Sequence, residues 1–318
     1  MLKKLLILSL CCTMYSLSWA QSWTALSKEQ EPVLTHTVND TLNFPVFVVE
    51  DPSTKTLYYG TQLQTNVCND QICLPIVVNL FWDLLGNYHH FSKEEDFNFT
   101  KFDHQYFDQK DYERLQGILI DSLSPLRDYD VEDLLDKDGK KYSLEIDAVT
   151  KPTSPLFSNV TVPGALYTVY TLWHIVNGPI KQELHVLANQ QYQRRNWQSY
   201  FAKSEVPVYQ EYFLKHLEPT EATKYKEEII NLLFAQDDFI PHYAIDVLEA
   251  DVLKDPNQYN SILKQLDRMK PHVITEIINS ISAANEETKS ILTAFSATEK
   301  ASPKQKELIA KILNYEKQ

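Results

Sequence analysis

The spacing of the apolar residues changes near residue 205, and this change limits what the chain can fold into. Before that point, short apolar runs are separated by turn residues, as in 44–50 and 56–59 around an Asp-Pro-Ser-Thr turn. A second such pair, 76–84 and 88–91, flanks a Leu-Gly-Asn turn. Short apolar runs bounded by turn residues are typical of β-strands. We therefore predict two strand pairs in this half of the chain.

Two helices are predicted in the same half. Residues 108–119 have helical apolar spacing, and Asp108 is a suitable N-cap. Residues 162–176 form the most apolar helical stretch. Pro163 lies where a first helical turn tolerates proline, and the Asn-Gly-Pro sequence at 177–179 ends the helix.

Beyond residue 205, strand-like alternation gives way to apolar residues at helical spacing. Asp255 and Ser302 are each followed by proline, which places a capping side chain before a first-turn proline. The predicted helices are short and follow one another closely, which is typical of HEAT-type helical hairpins. We predict an α+β domain at 21–204 and an all-α, helical-repeat-like domain at 205–318, with the boundary near 204–207.

Residues 1–20 have the pattern of an export signal. Lys3 and Lys4 precede the apolar run 5–14, and Ser-Trp-Ala ending at Ala20 suits a signal peptidase. We expect cleavage after Ala20 and a periplasmic or secreted protein that does not span a membrane. The net charge of −13 argues against nucleic acid as a partner. The six glycines of the chain exclude glycine-rich phosphate loops.

The stretch 147–154, Asp-Ala-Val-Thr-Lys-Pro-Thr-Ser, is the clearest pointer to a chemistry. It resembles the Asp-x-x-Ser/Thr-Gly-Ala-Thr motif of the FMN-binding domain family, the soluble domains of the sodium-pumping quinone reductase and Rnf-type complexes. In that family the last threonine carries FMN through a phosphoester that a separate flavin transferase installs. The resemblance implies an FMN-binding-type domain over about 45–180. It also implies that Asp147, Thr150 and Thr153 are the cofactor-binding residues, with Thr153 as the acceptor.

The motif departs from the family at Lys151-Pro152, which replaces Gly-Ala. Proline fixes φ and removes an N–H, whereas Lys151 supplies a positive charge that can pair with a phosphate. Three interpretations follow: covalent FMN at Thr153, a non-covalent flavin, or a flavin-type fold that has lost its cofactor. In the helix that follows, Tyr167, Tyr170 and Trp173 are placed at core spacing before any role as stacking partners for a flavin ring.

Cys68 and Cys73 are the cysteines left after the signal is removed, and they flank an Asn-Asp turn. In an exported protein a structural disulfide between them is the first expectation. The sequence C-N-D-x-x-C-x-P is also similar to the active-site loop of periplasmic thiol–disulfide reductant conduits, which implies a redox role instead. A metal site is disfavoured because two thiolates need two further ligands.

The histidines give no recognisable catalytic grouping. His89 and His90 lie at a strand end, where adjacent residues point to opposite faces, so we expect that they cannot chelate one metal. His104 is expected at the surface, and His174, at the end of an apolar helix, in a structural position favoured by the helix dipole.

Three functions are consistent with these residues. The first is an exported FMN-binding-like electron-transfer or redox accessory factor. The second is a cofactor-free interaction module whose helical domain binds a partner protein. The third is a thiol–disulfide redox protein that uses Cys68 and Cys73. No enzyme class follows from the sequence.

Overall fold

The computed structural model describes residues 31–67, 75–101, 105–134, 155–194 and 197–314. Their contacts divide the chain into two compact units, one ending at Gln190 and the other beginning at Gln191. The described part of the first unit combines an antiparallel sheet with helices, which is an α+β arrangement. In the second unit the described residues form helices and no strand.

The sheet of the first unit has five strands in the order in which they occur in the chain. The strands are β1 (Leu34–Asn39), β2 (Leu42–Glu50), β3 (Leu57–Thr65), β4 (Ile76–Trp82) and β5 (Tyr88–Lys93), each antiparallel to the next. Both predicted strand pairs are therefore confirmed. The central pairing sets Tyr59 opposite Trp82 and Leu63 opposite Val78.

Three helices accompany the sheet: α1 (Gln109–Ile120), α2 (Leu166–Asn177) and α3 (Pro179–Arg194). The indole N–H of the fully buried Trp82 donates to the Val176 carbonyl oxygen of α2 at 2.9 Å. Because side chains alternate along a strand, the neighbouring Phe81 points to the opposite side, which we call the outer face. Short 3₁₀ turns at Pro125–Arg127, Val131–Asp133 and Pro155–Val160 complete the described part of this unit.

The predicted helix ends are mostly confirmed. Asp108 caps α1 in a reciprocal capping box with Asp111. Helix α2 ends at Asn177 as expected, but it begins at Leu166, so the placement of Pro163 in its first turn is wrong. Gly164 has a φ of +77°, a left-handed conformation that breaks the helical path before Leu166.

The second unit is built from eight short helices, counted over its described residues. They are α4 (Trp197–Lys203), α5 (Pro207–His216), α6 (Lys226–Leu232), α7 (Ile240–Glu249), α8 (Pro256–Leu263), α9 (Pro271–Ser280), α10 (Glu286–Ser296) and α11 (Pro303–Asn314). The caps predicted at Asp255 and Ser302 are confirmed, since both side chains accept from backbone amides of the first turn. Turns of 3₁₀ helix lie at Pro219–Glu221, Val252–Lys254 and Leu266–Arg268.

These helices pack both on helices next to them in the chain and on alternate helices. The adjacent pairs are α4 with α5, α6 with α7 and α10 with α11. Helix α5 packs on α7, α7 on α9, and α9 on α11, while α4 packs on α6 and α8 on α10. Buried aromatic contacts also join Tyr192 to Phe201 and Tyr212. For this reason the second unit begins within α3, ahead of the boundary that the sequence places near 204–207.

Candidate functional site

The residues that the sequence singles out for chemistry lie outside the described part of the chain. Asp147, Thr150 and Thr153 fall in the gap between 134 and 155, and Cys68 and Cys73 fall in the gap between 67 and 75. Their roles therefore stay predictions. Residues 1–20 and His104 likewise lie outside the described residues.

The described strands fix what the cysteine-containing segment connects. Thr65, at the end of β3, pairs with Ile76, at the start of β4, in an antiparallel register. The segment that holds Cys68 and Cys73 therefore joins two hydrogen-bonded strands in a hairpin connection. The nearby Val67 is buried, with 8% of its surface exposed.

The helix that follows the flavin-type motif, α2, uses its aromatic residues for packing. Trp173 is 2% exposed and its indole N–H donates to the Asp121 carbonyl oxygen at 2.9 Å. Tyr170 is half-buried, and its ring lies 4.2 Å from that of His174. Nε2 of His174 is 3.0 Å from the Leu126 carbonyl oxygen. Burial lowers the pKa of His174, against the helix dipole that we expected to favour its charged form.

His89 and His90 lie on the same side of the sheet, so the expectation that they point to opposite faces is wrong. Phe81 pairs with His90 but Trp82 pairs with Tyr88, which leaves His89 as the extra residue of a β-bulge. The Nδ1 atoms of the two histidines are 2.8 Å apart.

Neighbouring side chains hold this bulge in place. The Gln116 side-chain amide of α1 donates to the His89 carbonyl oxygen at 2.7 Å and accepts from the Tyr88 hydroxyl at 2.8 Å. On the outer face, the ring of His90 stacks on Phe81 at 4.4 Å with an interplanar angle of 9°. The ring of Tyr58 lies 4.9 Å from that of His89.

Burial lowers the pKa of both histidines, and His90 is the more buried of the two. Burial, with a smaller contribution from His89, lowers the pKa of His90 to about 4, although the charge of Asp51 opposes the change. Burial also lowers the pKa of His89, against the opposing charge of Asp83. One neutral ring donates an N–H to the other, so the pair forms an internal hydrogen bond on the outer face.

The second unit carries a polar row across α5, α7 and α9, which we call the ladder. Its members are Lys215, Tyr243, His242, His272 and Glu276.

Each rung of the ladder joins neighbouring helices. The Lys215 ammonium lies 4.6 Å from the centre of the Tyr243 ring, which links α5 to α7. Nδ1 of His242 contacts a carboxylate oxygen of Glu276, and its ring lies 5.2 Å from that of His272, which links α7 to α9. These contacts join α5 to α7 and α7 to α9 through two separate sets of polar and aromatic side chains.

A second ion pair lies beside the ladder. Nζ of Lys270 is 2.6 Å from a carboxylate oxygen of Asp238. The hydrogen bond from Lys270 lowers the pKa of Asp238, and the nearby His272 and His242 contribute in the same direction. The surface is therefore mixed in charge.

Two further properties bear on what these surfaces can bind. Among the described residues, no group of three or more His, Cys, Asp or Glu side chains is arranged to hold a metal ion. The same residues include no helix that is both long and apolar enough to cross a bilayer.

Comparisons of the chain with family models, with curated proteins and with solved structures found no match.

The sequence does not predict the ladder. Lys215, Tyr243 and His272 lie in separate short helices, and they meet only because alternate helices stack. The one local signal is that His242 and Tyr243 are adjacent, because adjacent residues of a helix point towards different neighbouring helices.

Proposed function

We propose that this chain is an exported, cofactor-free interaction protein whose helical second unit binds a partner protein. The first unit is then an FMN-binding-type domain that has lost its cofactor, and the second a HEAT-like repeat. The observation that carries this proposal is the ladder, a set of polar and aromatic side chains whose contacts join three stacked helices. Stacked helical repeats bind partners through extended surfaces of this kind.

The first unit supports the same proposal through helix α2. Three aromatic residues of α2 are named as stacking partners for a flavin. Trp173 and Tyr170 are engaged in packing contacts, and Tyr167 is half-buried. Trp173 has almost no exposed surface. Trp173 therefore has no exposed ring face on which an isoalloxazine could stack.

Site-specific photo-crosslinking in the producing cells tests the proposed function. A photoreactive phenylalanine analogue replaces Tyr243 in the ladder, and in a matched protein it replaces Asn231, which is exposed on α6 in the other set of alternating helices. We expect one discrete crosslinked protein from the Tyr243 position, lost when His272→Ala is added. Identical products from both positions, or none from Tyr243, would contradict the proposal.

A second candidate function is electron transfer by FMN attached at Thr153 by a flavin transferase. The observation that favours it is the motif itself, in which Asp147 and Thr150 accompany Thr153 at the family's spacing. A threonine hydroxyl is a weak nucleophile, so attachment depends on recognition by the transferase. If FMN is attached there, Thr153→Val removes all bound yellow colour and leaves the fold intact. Colour that survives this substitution excludes the phosphoester.

A further inference from the structure

A cavity of about 690 Å³ opens within the second unit, apart from the ladder. Its volume lies in the range of about 300–1,000 Å³ that is usual for ligand sites. It is lined by Pro256, by Ile281, Ser282, Ala283, Ala284 and Asn285, and by Lys289, Lys311 and Ile312.

One wall of the cavity is the segment 281–285, which connects α9 to α10 without helix or strand. Both of its ends have extended backbone angles, with ψ of 112° at Ile281 and 176° at Asn285. The Tyr259 hydroxyl donates to the Ala283 carbonyl oxygen, and the Asn260 side-chain amide donates to Oδ1 of Asn285 at 3.2 Å. These contacts anchor the segment through α8.

The backbone of this wall is open to a ligand. Ser282 and Ala283 are exposed and Ala284 is half-buried, and their small side chains leave the main chain accessible. Within the described part of the chain, no group accepts a hydrogen bond from the amides of these three residues. An extended segment with unpaired amides can pair with another extended peptide, as in β-augmentation.

The charged side chains that line the cavity are lysines, each paired with a glutamate outside the lining. Lys289 and Lys311 are its charged members, and no acidic residue is among the residues that line it. Lys289 is largely covered, with 21% of its side chain exposed, whereas its partner Glu286 is 91% exposed. Lys311 pairs with Glu307 at 2.8 Å, and both side chains of that pair are largely exposed. An exposed pair such as Lys311–Glu307 is weak, so a bound carboxylate can compete for the Lys311 ammonium group.

We propose that this cavity binds an extended, acidic peptide segment of a partner protein. The peptide main chain pairs with the amides of 282–284, a carboxylate lies between Lys289 and Lys311, and an apolar side chain contacts Ile281 and Ile312. The proposal rests on the proposed function, because it names the kind of segment that the second unit recognises.

Fluorescence anisotropy with two labelled peptide pools tests this site. Both pools contain short peptides randomised among Val, Thr and Ser, with Glu fixed at the centre of one and Gln at the centre of the other. We expect the mature protein to bind the Glu pool at least about tenfold more tightly than the Gln pool. Lys289→Gln and Lys311→Gln should each reduce that preference, whereas Lys300→Gln, which alters an exposed lysine paired with Asp267 elsewhere, should leave it unchanged.

Two further variants sharpen the test. Ala284→Trp fills the cavity and should abolish binding of both pools. A chain that ends at Asn314 removes residues 315–318, which follow the last described helix, and should still bind the Glu pool. The proposal is overturned by equal binding of both pools, by lysine variants that bind like the unaltered protein, or by no saturable binding up to about 1 mM.

This experiment separates the cavity from the proposed function. If crosslinking at Tyr243 succeeds while the Glu pool fails to bind, the cavity proposal is wrong and the ladder stands. If the Glu pool binds selectively but Tyr243 gives no crosslink, the cavity proposal stands and the ladder proposal is wrong. His272→Ala, which alters the ladder, should leave peptide binding unchanged.

Discussion

The Nδ1 atoms of His89 and His90 lie 2.8 Å apart on the outer face of the sheet, although the two residues are adjacent in one strand. The bulge opposite Phe81 and Trp82 turns both rings to the same side. Gln116 of α1 holds the bulge by bonding the His89 carbonyl oxygen. Burial lowers the pKa of both rings, which makes the pair sensitive to pH.

The first prediction concerns the pH dependence of stability. The pKa of His90 is lowered to about 4 in the folded chain, below the usual value of 6.5. The unfolded chain therefore binds more protons between these values, and stability falls as the pH falls from about 6.5 to about 4. We expect His90→Gln to reduce this loss by about 2 kcal/mol, measured by urea unfolding over that pH range.

A matched substitution at His216 removes a histidine from the second unit and serves as the control. If the free energy of unfolding changes with pH in the same way in the unaltered protein and in His90→Gln, then burial of His90 has no energetic consequence.

The second prediction compares two glycines of the first unit. Gly86 has a φ of +87°, and a Cβ there would lie 2.9 Å from the Lys181 carbonyl oxygen. We expect Gly86→Ala to lower the free energy of unfolding by about 2 kcal/mol. Gly117→Ala, in helix α1 with no atom within 4 Å of the added Cβ, should raise it by about 0.5–1 kcal/mol. Denaturant midpoints measure both changes, and shifts in the same direction would refute the prediction.

The third prediction tests the junction between α9 and α11. The side-chain amide of the fully buried Gln305 donates to the Pro271 carbonyl oxygen at 2.8 Å, and its oxygen accepts from the Ser302 amide at 2.8 Å. Gln305→Leu leaves these groups unpaired and should cost about 2 kcal/mol in thermal or urea unfolding. Ser302→Ala removes the N-cap and should cost about 1 kcal/mol. If Ser302→Ala lowers the free energy of unfolding more than Gln305→Leu does, the stabilising role of the buried Gln305 network is contradicted.

The fourth prediction concerns the cysteines. Because Thr65 pairs with Ile76 at the ends of their connection, we expect Cys68 and Cys73 to be bonded to each other in the isolated mature protein. Quantitative thiol labelling without reductant should find no free thiol. Two free thiols would exclude the disulfide, and rapid reduction of a bonded pair by a mild thiol would favour the redox function instead.

Local signals explain which parts of the fold could be predicted. The strand pairs, the cap at Asp108 and the caps at Asp255 and Ser302 each depend on a few neighbouring residues, and each is confirmed. The predicted start of α2 is wrong. Pro163 suits the first turn of a helix, but its presence does not decide whether the helix includes it or begins after it. The left-handed backbone at Gly164 decides that question.

The candidate surfaces could not be predicted, since they depend on contacts between distant residues. The common side of His89 and His90 requires the register of β4 with β5 and the support of Gln116. The ladder requires α5, α7 and α9 to stack in turn. Conversely, the flavin motif at Asp147, Thr150 and Thr153 is a sequence signal only, and its role stays a prediction.

The most direct test of the cofactor-free interaction module is an intact mass and a visible spectrum of the mature protein. The protein should be exported from a host that also expresses a flavin transferase, so that attachment is possible if the motif is competent. We predict an unmodified mass and a colourless sample. A mass increase equal to an FMN phosphoester, located in the peptide that contains Thr153, would contradict this account and identify the chain as a flavin electron carrier.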